Sequence, residues 1–200
     1  MKLLIATTNK SKFERYKLLL SQFMDAEISS LLDYGVIDNV EEDGANGAEN
    51  AHKKALAYMQ ELCIPTLAID EELYLDFLPA DRQPGMNVRR VNGKRLSDDE
   101  MIGHYGRLID NALPEKRKGC FIHNICLVLP NGESFHARWK HDGLYFRTSP
   151  PGPRLQGYPF AYFVYDKNSG KSRAEFSDDD WIRNDAELIE VLRKLFIRAF

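Results

Sequence analysis

Residues 3–14 read LLIATTNKSKFE, and this stretch decides how the chain begins to fold. The apolar run at 3–6 predicts a short buried strand, and the apolar spacing after it predicts a helix to about Met24. Ser11 with Glu14 predicts a capping box at the start of that helix. A turn between a strand and a helix N-terminus is suited to bind an anion, because free N–H groups and the helix dipole favour negative charge. The same composition is also typical of a capped helix with solvated lysines.

The rest of the chain alternates helix and strand patterns. Helices are predicted over residues 46–62, 97–109 and 185–196, the first two with capping signals at Asn46 and Ser97. Strands are predicted over residues 67–69, 73–77, 120–129, 134–140 and 158–165, with a hairpin turn at Asn131-Gly132. Helices interleave with strands early and a hairpin comes late, which indicates an α/β fold with a mixed sheet. No linker composition is visible, so we expect one domain over residues 1–200.

Composition excludes several classes of protein. The 200 residues include 27 basic and 30 acidic side chains, a formal net charge of −3. A general nucleic-acid binder usually carries a basic surplus, so we expect no nucleic-acid partner. No stretch approaches the roughly 18 apolar residues of a membrane helix, and the N-terminal apolar run is too short for a signal peptide. The three cysteines give no secreted disulfide framework, so a cytoplasmic protein without a membrane partner is expected.

Two acidic clusters and one lysine suggest a metal-bound phosphate ligand. Residues 41–43 (EED) precede the second helix, and residues 70–72 (DEE) follow a buried strand. Carboxylates in such places repel one another unless a cation neutralises them, and Mg²⁺ takes a few carboxylates together with phosphate oxygens and water. Lys54 on the second helix is positioned to reach a phosphate. The alternatives are solvated acidic turns and a surface lysine, with Glu49 and Lys53 forming a helical ion pair.

Cys120-x-x-His123-x-x-Cys126 has the residue types of a metal motif. In a strand, however, Cys120 and Cys126 face one side and His123 faces the other. A metal site shared by these three residues is therefore not predicted. His136 and His141 lack the H-E-x-x-H pattern of zinc proteases.

Four short motifs resemble, in the same order along the chain, motifs of the Ham1 family, the inosine/xanthosine triphosphate pyrophosphatases. The family's A-T-G-N-x-x-K, E-x-G, E-N-A-x-x-K-A and A-D-D-S-G-L are similar to residues 6–12 (ATTNKSK), 42–44 (EDG), 49–55 (ENAHKKA) and 68–73 (AIDEEL). The third motif is matched in full, and Thr8 stands where the first usually has glycine. Pro84-Gly85 and Arg90 continue the pattern, so the resemblance covers roughly residues 3–91.

The second half departs from the family pattern. The family's F-G-Y-D turn is similar to residues 156–159 (QGYP), where Pro159 replaces the aspartate. The late K-x-x-x-S-H-R element is absent from residues 178–187. The resemblance implies base contacts at Gly157 and Tyr158. Trp181 and Arg183 are candidate replacements for the missing base-binding residues.

The resemblance implies a fold, an activity and a set of site residues. It implies an elongated mixed sheet flanked by helices, two lobes with an active-site cleft between them, and a homodimer. The implied reaction is Mg²⁺-dependent hydrolysis of non-canonical purine nucleoside triphosphates, such as ITP, XTP and dITP, to the monophosphate and pyrophosphate. Asp70 matches the catalytic carboxylate and would bind the metal with Glu42 and Glu71. The triphosphate would be held by Thr7, Asn9, Lys12 and Lys54.

Two alternatives remain open at the level of the sequence. One is the same hydrolytic core with a different nucleotide-like substrate, favoured by Pro159 and by the missing S-H-R element. The other is a nucleotide-binding protein without turnover, which the retained Asp70, Glu42 and Lys54 argue against.

Overall fold

The structure, a computed structural model, describes residues 1–36, 40–148 and 152–200. The strands are β1 Lys2–Ile5, β2 Glu27–Ser30, β3 Thr66–Leu75, β4 Arg90–Val91, β5 Lys94–Arg95, β6 Lys118–Val128, β7 Ser134–Phe146 and β8 Val164–Tyr165. The α-helices are α1 Lys10–Ser21, α2 Gly47–Leu62, α3 Asp98–Asp110, α4 Asp178–Asn184 and α5 Ala186–Ala199. Short 3₁₀ turns lie between several of these elements.

A six-stranded sheet has the order β2-β1-β3-β6-β7-β8, and β4 pairs with β5 in a separate ribbon. β1 runs parallel to both β2 and β3, whereas β7 and β8 are antiparallel. The sheet is therefore mixed, and the predicted α/β fold with a mixed central sheet is confirmed.

The chain divides into two compact units. The first contains Met1–Glu71, His123–Trp139 and Asp178–Phe200, and the second contains Glu72–Ile122 and Lys140–Ser177. The expectation of one domain over residues 1–200 stays a prediction. None of the helices in the described part of the chain is long and apolar enough to span a membrane.

The core of the first unit lies on both faces of the sheet. Leu3 belongs to a buried cluster with α1 and α5, whereas Leu4 belongs to a cluster with α2. The same alternation separates Ile125 from Cys126 on β6. Successive side chains of a strand point to opposite faces, so strands covered on both sides need nearly continuous apolar sequence. The run LLIA at residues 3–6 meets that requirement.

The second unit has its own buried cluster. It joins α3, through Tyr105 and Ile109, to the ends of β3 and β7 and to Phe160. Tyr105 and Phe160 pack with ring centroids 4.6 Å apart.

The predicted capping box at Ser11 is wrong, because Asn9 caps α1 instead. Asn9 is extended, and its Oδ1 accepts a hydrogen bond from the Lys12 N–H at 3.2 Å. That bond satisfies a helix N–H that would otherwise lack a partner. The predicted caps at Asn46 and Ser97 are confirmed, since their side chains accept the N–H groups of Glu49 and Glu100.

Two strand predictions are also wrong. Residues 67–69 and 73–77 do not form separate strands, because β3 continues without a break through the acidic run to Leu75. Residues 158–165 do not form one strand but a 3₁₀ turn, Pro159–Tyr162, followed by the two-residue β8. Pro159 lacks the N–H that a strand ladder requires and begins this turn. β2 is short and half polar, so its apolar pattern does not predict a strand.

Candidate active site

The turn before α1 is held by its own polar side chains. Thr7 is buried, and its Oγ1 accepts a hydrogen bond from the Asn9 N–H at 3.1 Å. Lys12, in the first turn of α1, reaches the end of β3, where its Nζ donates to the Ile69 carbonyl at 3.0 Å. A cationic side chain and a helix N-terminus thus lie beside the residue that precedes Asp70.

Asp70 is a partly buried residue with one buried, unpartnered carboxylate oxygen. Its Oδ2 is buried and has no hydrogen-bond partner among the described residues. Burial raises the pKa of Asp70 to about 6, because charge on a desolvated carboxylate is costly. Lys12 and Lys54 oppose this increase, whereas the charges of Glu42 and Glu71 add to it. The folded chain therefore holds a carboxylate whose ionised form a further cation would stabilise.

Glu42 lies on a loop that is anchored to the start of α2. The buried Lys54 on α2 forms an ion pair with Glu42. The Gly44 N–H donates to Asn50 Oδ1 at 2.8 Å. Lys53 Nζ lies 2.5 Å from Asp43 Oδ1, so the neighbouring carboxylate of this loop is held as well. The structure thus brings Glu42 and Lys54 together beside Asp70.

Glu71 is surrounded by positive and polar groups. Its Oε1 lies 3.1 Å from His123 Nδ1 and 3.6 Å from Arg15 Nη1, and Lys12 Nζ lies 3.5 Å from its Oε2. Burial favours the neutral acid, but Lys12, His123 and Arg15 outweigh it and hold the pKa of Glu71 well below its usual range. Glu71 is therefore ionised and ion-paired, and its role as a metal ligand stays a prediction.

Two of the residues that hold Glu71, Arg15 and His123, are not among the site residues predicted from the sequence. Arg15 is buried on α1, and its Nε lies 2.7 Å from Asp185 Oδ2. Tyr16 Oη lies 3.0 Å from the buried His123 Nδ1. Arg15 precedes the buried Leu19 by one helical turn, so a charged residue on the apolar stripe was the signal that could have revealed this cluster.

The predicted base-binding residues lie in two places. Gly157 has φ +78° and its N–H donates to Asp98 Oδ2 at 2.6 Å, which places it and Tyr158 beside the start of α3 in the second unit. In the first unit, the Trp181 ring lies 5.1 Å from the Arg15 guanidinium. Arg183 Nη2 lies 2.5 Å from Asp180 Oδ1, and the Arg183 side chain is mostly exposed. A contact of any of these residues with a base stays a prediction.

The donor set at Asp70 fits a hard divalent cation. Such ions bind carboxylate oxygens and keep further positions for water or phosphate. The buried, unpartnered Oδ2 of Asp70 supplies one oxygen, and Glu42 supplies a second carboxylate close enough to raise the pKa of Asp70. The lysines on either side suit the phosphate oxygens that would share the ion.

The chain belongs to the Ham1 family, whose model matches residues 3–183. It is 30% identical over 177 residues to a dITP/XTP pyrophosphatase of Halalkalibacterium halodurans, covering 88% of each chain. It is 33% identical over 179 residues to a dITP/XTP pyrophosphatase of Shouchella clausii, covering 88% of this chain and 85% of that one. The solved structure of a HAM1 protein from Coxiella burnetii superposes with a TM-score of 0.67 at 24% identity, covering 97% of this chain and 99% of that one, and this likeness shows the shared fold.

We predict that Asp70→Asn stabilises the metal-free protein. The raised pKa means that the folded state binds more protons than the unfolded state between about pH 4 and 6, so stability falls as pH rises through that window. Removing the charge should add about 3 kcal/mol at pH 8 and only about 0.5 kcal/mol at pH 4. Thermal unfolding in EDTA across this pH range measures the difference. The matched control is Asp76→Asn at an exposed position. Equal unfolding temperatures for wild type and Asp70→Asn at pH 8 would contradict the prediction.

A second prediction concerns the close approach at Gly44. A Cβ there would lie 2.6 Å from Asn50 Oδ1 and 2.8 Å from Glu49 Cβ, so Gly44→Ala must displace the loop that carries Glu42. We expect divalent-metal affinity to fall about tenfold, equivalent to about 1.4 kcal/mol, as measured by calorimetric Mg²⁺ titration. Gly103→Ala, on α3 with only ordinary contacts, is the control and should bind as wild type does. Unchanged Mg²⁺ affinity in Gly44→Ala would show that this loop does not hold a metal ligand.

Proposed function

We propose that this chain is a nucleoside triphosphate pyrophosphatase that hydrolyses non-canonical purine (deoxy)nucleoside triphosphates to the monophosphate and pyrophosphate. Membership of the Ham1 family and similarity to dITP/XTP pyrophosphatases support this activity. The structural observation that carries it is the partly buried Asp70 carboxylate, which has one buried, unpartnered oxygen and is influenced by the charges of Lys12, Lys54 and Glu42.

The proposed cofactor is Mg²⁺, held by Asp70 and Glu42, with Glu71 as a third candidate ligand. When bound, Mg²⁺ neutralises charge on the phosphate oxygens and polarises the phosphorus that is attacked. Its binding needs the ionised form of Asp70, and the surrounding lysines favour that form. Glu42 is paired with Lys54 in this structure, so substrate binding would release Lys54 toward a phosphate and Glu42 toward the metal.

Asp70 also suits a role in activating water. Asp70 Oδ2 has no hydrogen-bond partner among the described residues, so a carboxylate oxygen is available to orient the attacking water and accept its proton. In the proposed reaction, water attacks the α-phosphorus, Asp70 accepts the water proton, and the bond to pyrophosphate breaks. Lys12 and Lys54 stabilise the negative charge on the triphosphate.

The turn before α1 would bind the triphosphate through its backbone. Thr7 and Asn9 already hold each other and the start of the helix, so their contribution is to fix N–H groups toward the ligand. Helix N-termini with free N–H groups bind phosphate without needing many side chains. Glu71, fixed by Arg15 and His123, would keep Lys12 at the end of β3.

The residues proposed to bind the base lie where this sequence departs from the family pattern. Gly157 would allow close approach of the base and Tyr158 would stack on it. Trp181 and Arg183 are separate candidates for base contacts in the first unit. The 3₁₀ turn begins at Pro159, where the family has an aspartate, so this position offers neither a carboxylate nor an N–H to a purine. That observation favours a second candidate, the same hydrolysis acting on a different nucleotide-like substrate. We also propose that the chain acts in the cytoplasm as a homodimer of single-domain subunits.

A pyrophosphate-release assay tests the proposal. The protein is incubated with Mg²⁺ and equal concentrations of ITP, XTP, dITP, the standard nucleotides and modified nucleotides. Preference for ITP, XTP or dITP by at least tenfold in kcat/KM is the expected result. Asp70→Asn should lose at least a thousandfold in kcat, since it removes the proposed base and metal ligand, while Asp76→Asn should stay active.

The other outcomes of this assay are equally informative. Release from a different nucleotide alone would support the second candidate substrate class. Nucleotide binding without release from any of them would overturn the enzymatic proposal. Full activity of Asp70→Asn would show that the catalytic carboxylate lies elsewhere.

A further inference from the structure

We propose that His52, Cys126 and His136 form a second metal site in the first unit, one that binds Zn²⁺ through two imidazoles and a thiolate. The three residues come from three elements: His52 from α2, Cys126 from β6 and His136 from β7. Their ligand atoms all lie within 4.8 Å of one another.

One edge of this site already has the spacing that zinc requires. Cys126 Sγ lies 3.6 Å from His52 Nδ1, as a thiol–imidazole contact. Tetrahedral zinc with bonds of about 2.3 Å to sulfur and 2.0–2.1 Å to nitrogen places these two atoms about 3.6 Å apart. Zn²⁺ would therefore replace the thiol proton between them without separating the two side chains.

The third ligand needs a small movement. The His52 and His136 rings are nearly parallel, at 29°, with centroids 5.4 Å apart. The His136 ligand atom lies within 4.8 Å of the other two, and two zinc-bound nitrogens lie roughly 3.4 Å apart, so the His136 imidazole would need to move inward by no more than about 1.4 Å. His136 is exposed and can make that movement. Its exposure leaves the fourth position to water, as in zinc sites with three protein ligands.

The ligand types of His52, Cys126 and His136 suit Zn²⁺. His52 and His136 each offer an imidazole nitrogen, a ligand that suits Zn²⁺. Zn²⁺ binding would form the metal–sulfur bond to Cys126 and release the thiol proton to solvent. A thiolate with two imidazoles selects Zn²⁺ over Mg²⁺, which prefers oxygen ligands.

This cluster is separate from the residues around Asp70. Cys126 belongs to the buried cluster with α2, whereas Ile125 and Leu127 on either side of it belong to the cluster with α1 and α5. His123 likewise contacts Tyr16 of α1 and Glu71. The sequence motif Cys120-x-x-His123-x-x-Cys126 therefore does not supply the ligands. Cys126 instead finds its partners on a helix and on the next strand.

Cobalt titration tests the site independently of any hydrolytic activity. Co²⁺ is added to the metal-free full chain in excess Mg²⁺, which occupies oxygen-ligand sites. One equivalent should produce thiolate-to-cobalt charge-transfer absorption in the near ultraviolet with visible bands of tetrahedral cobalt, and Zn²⁺ should abolish both. Cys126→Ser should lose the charge-transfer band. His136→Gln, an exposed change that leaves the core intact, should weaken Co²⁺ binding at least tenfold.

Two matched variants serve as controls. Cys63→Ser removes an exposed thiol, and His104→Gln removes a histidine of the second unit. Both should bind Co²⁺ as the wild type does. The proposal is overturned if no charge-transfer band appears, if the band survives in Cys126→Ser, if Cys63→Ser abolishes it, or if His136→Gln binds Co²⁺ as tightly as wild type.

Discussion

A carboxylate removed from water must find compensating positive charge or stay protonated, and the first unit is organised around one such group, Asp70. Its Oδ2 is buried without a hydrogen bond in the described part of the chain, and burial raises its pKa to about 6. Lys12 and Lys54 lower the pKa of Asp70, whereas the charges of Glu42 and Glu71 raise it further. This unfavourable arrangement is what makes the site receptive to a divalent cation, at a cost in stability that the core must offset.

The hydrophobic core offsets this cost by fixing α1, α2 and β6 around β3. β3 is covered on both faces, and Asp70 stands at the point where the chain passes from Leu67, Ala68 and Ile69 in the core to its acidic run. α1 presents Lys12 to the end of that buried stretch, and α2 presents Lys54. Successive side chains of β6 point to opposite faces of the sheet. His123 therefore contacts Glu71 on one face, and Cys126 lies near His52 and His136 on the other.

Sequence patterns predicted most of this framework. The strand at residues 3–6, the caps at Asn46 and Ser97, and the hairpin at Asn131-Gly132 follow from local chemistry, so they could be read directly. The order of the motifs also predicts that Glu42, Lys54 and Asp70 belong to one site. The continuity of β3 could not be predicted, because the acidic residues 70–72 have low strand propensity and indicate a break in the strand. The partners of Glu71 and Cys126 are distant in sequence, and only the pairing of strands and helices brings them close.

The most direct test of this account is the ionisation of Asp70 itself. The carboxyl carbon of Asp70, followed by ¹³C NMR from pH 3 to 9 in metal-free protein, should titrate with a pKa of about 6. Adding Mg²⁺ should shift that titration to lower pH, because the ion binds only the carboxylate. A pKa of Asp70 near the ordinary value of 3.8 that Mg²⁺ leaves unchanged would contradict the account of Asp70 as a partly buried carboxylate that binds a cation.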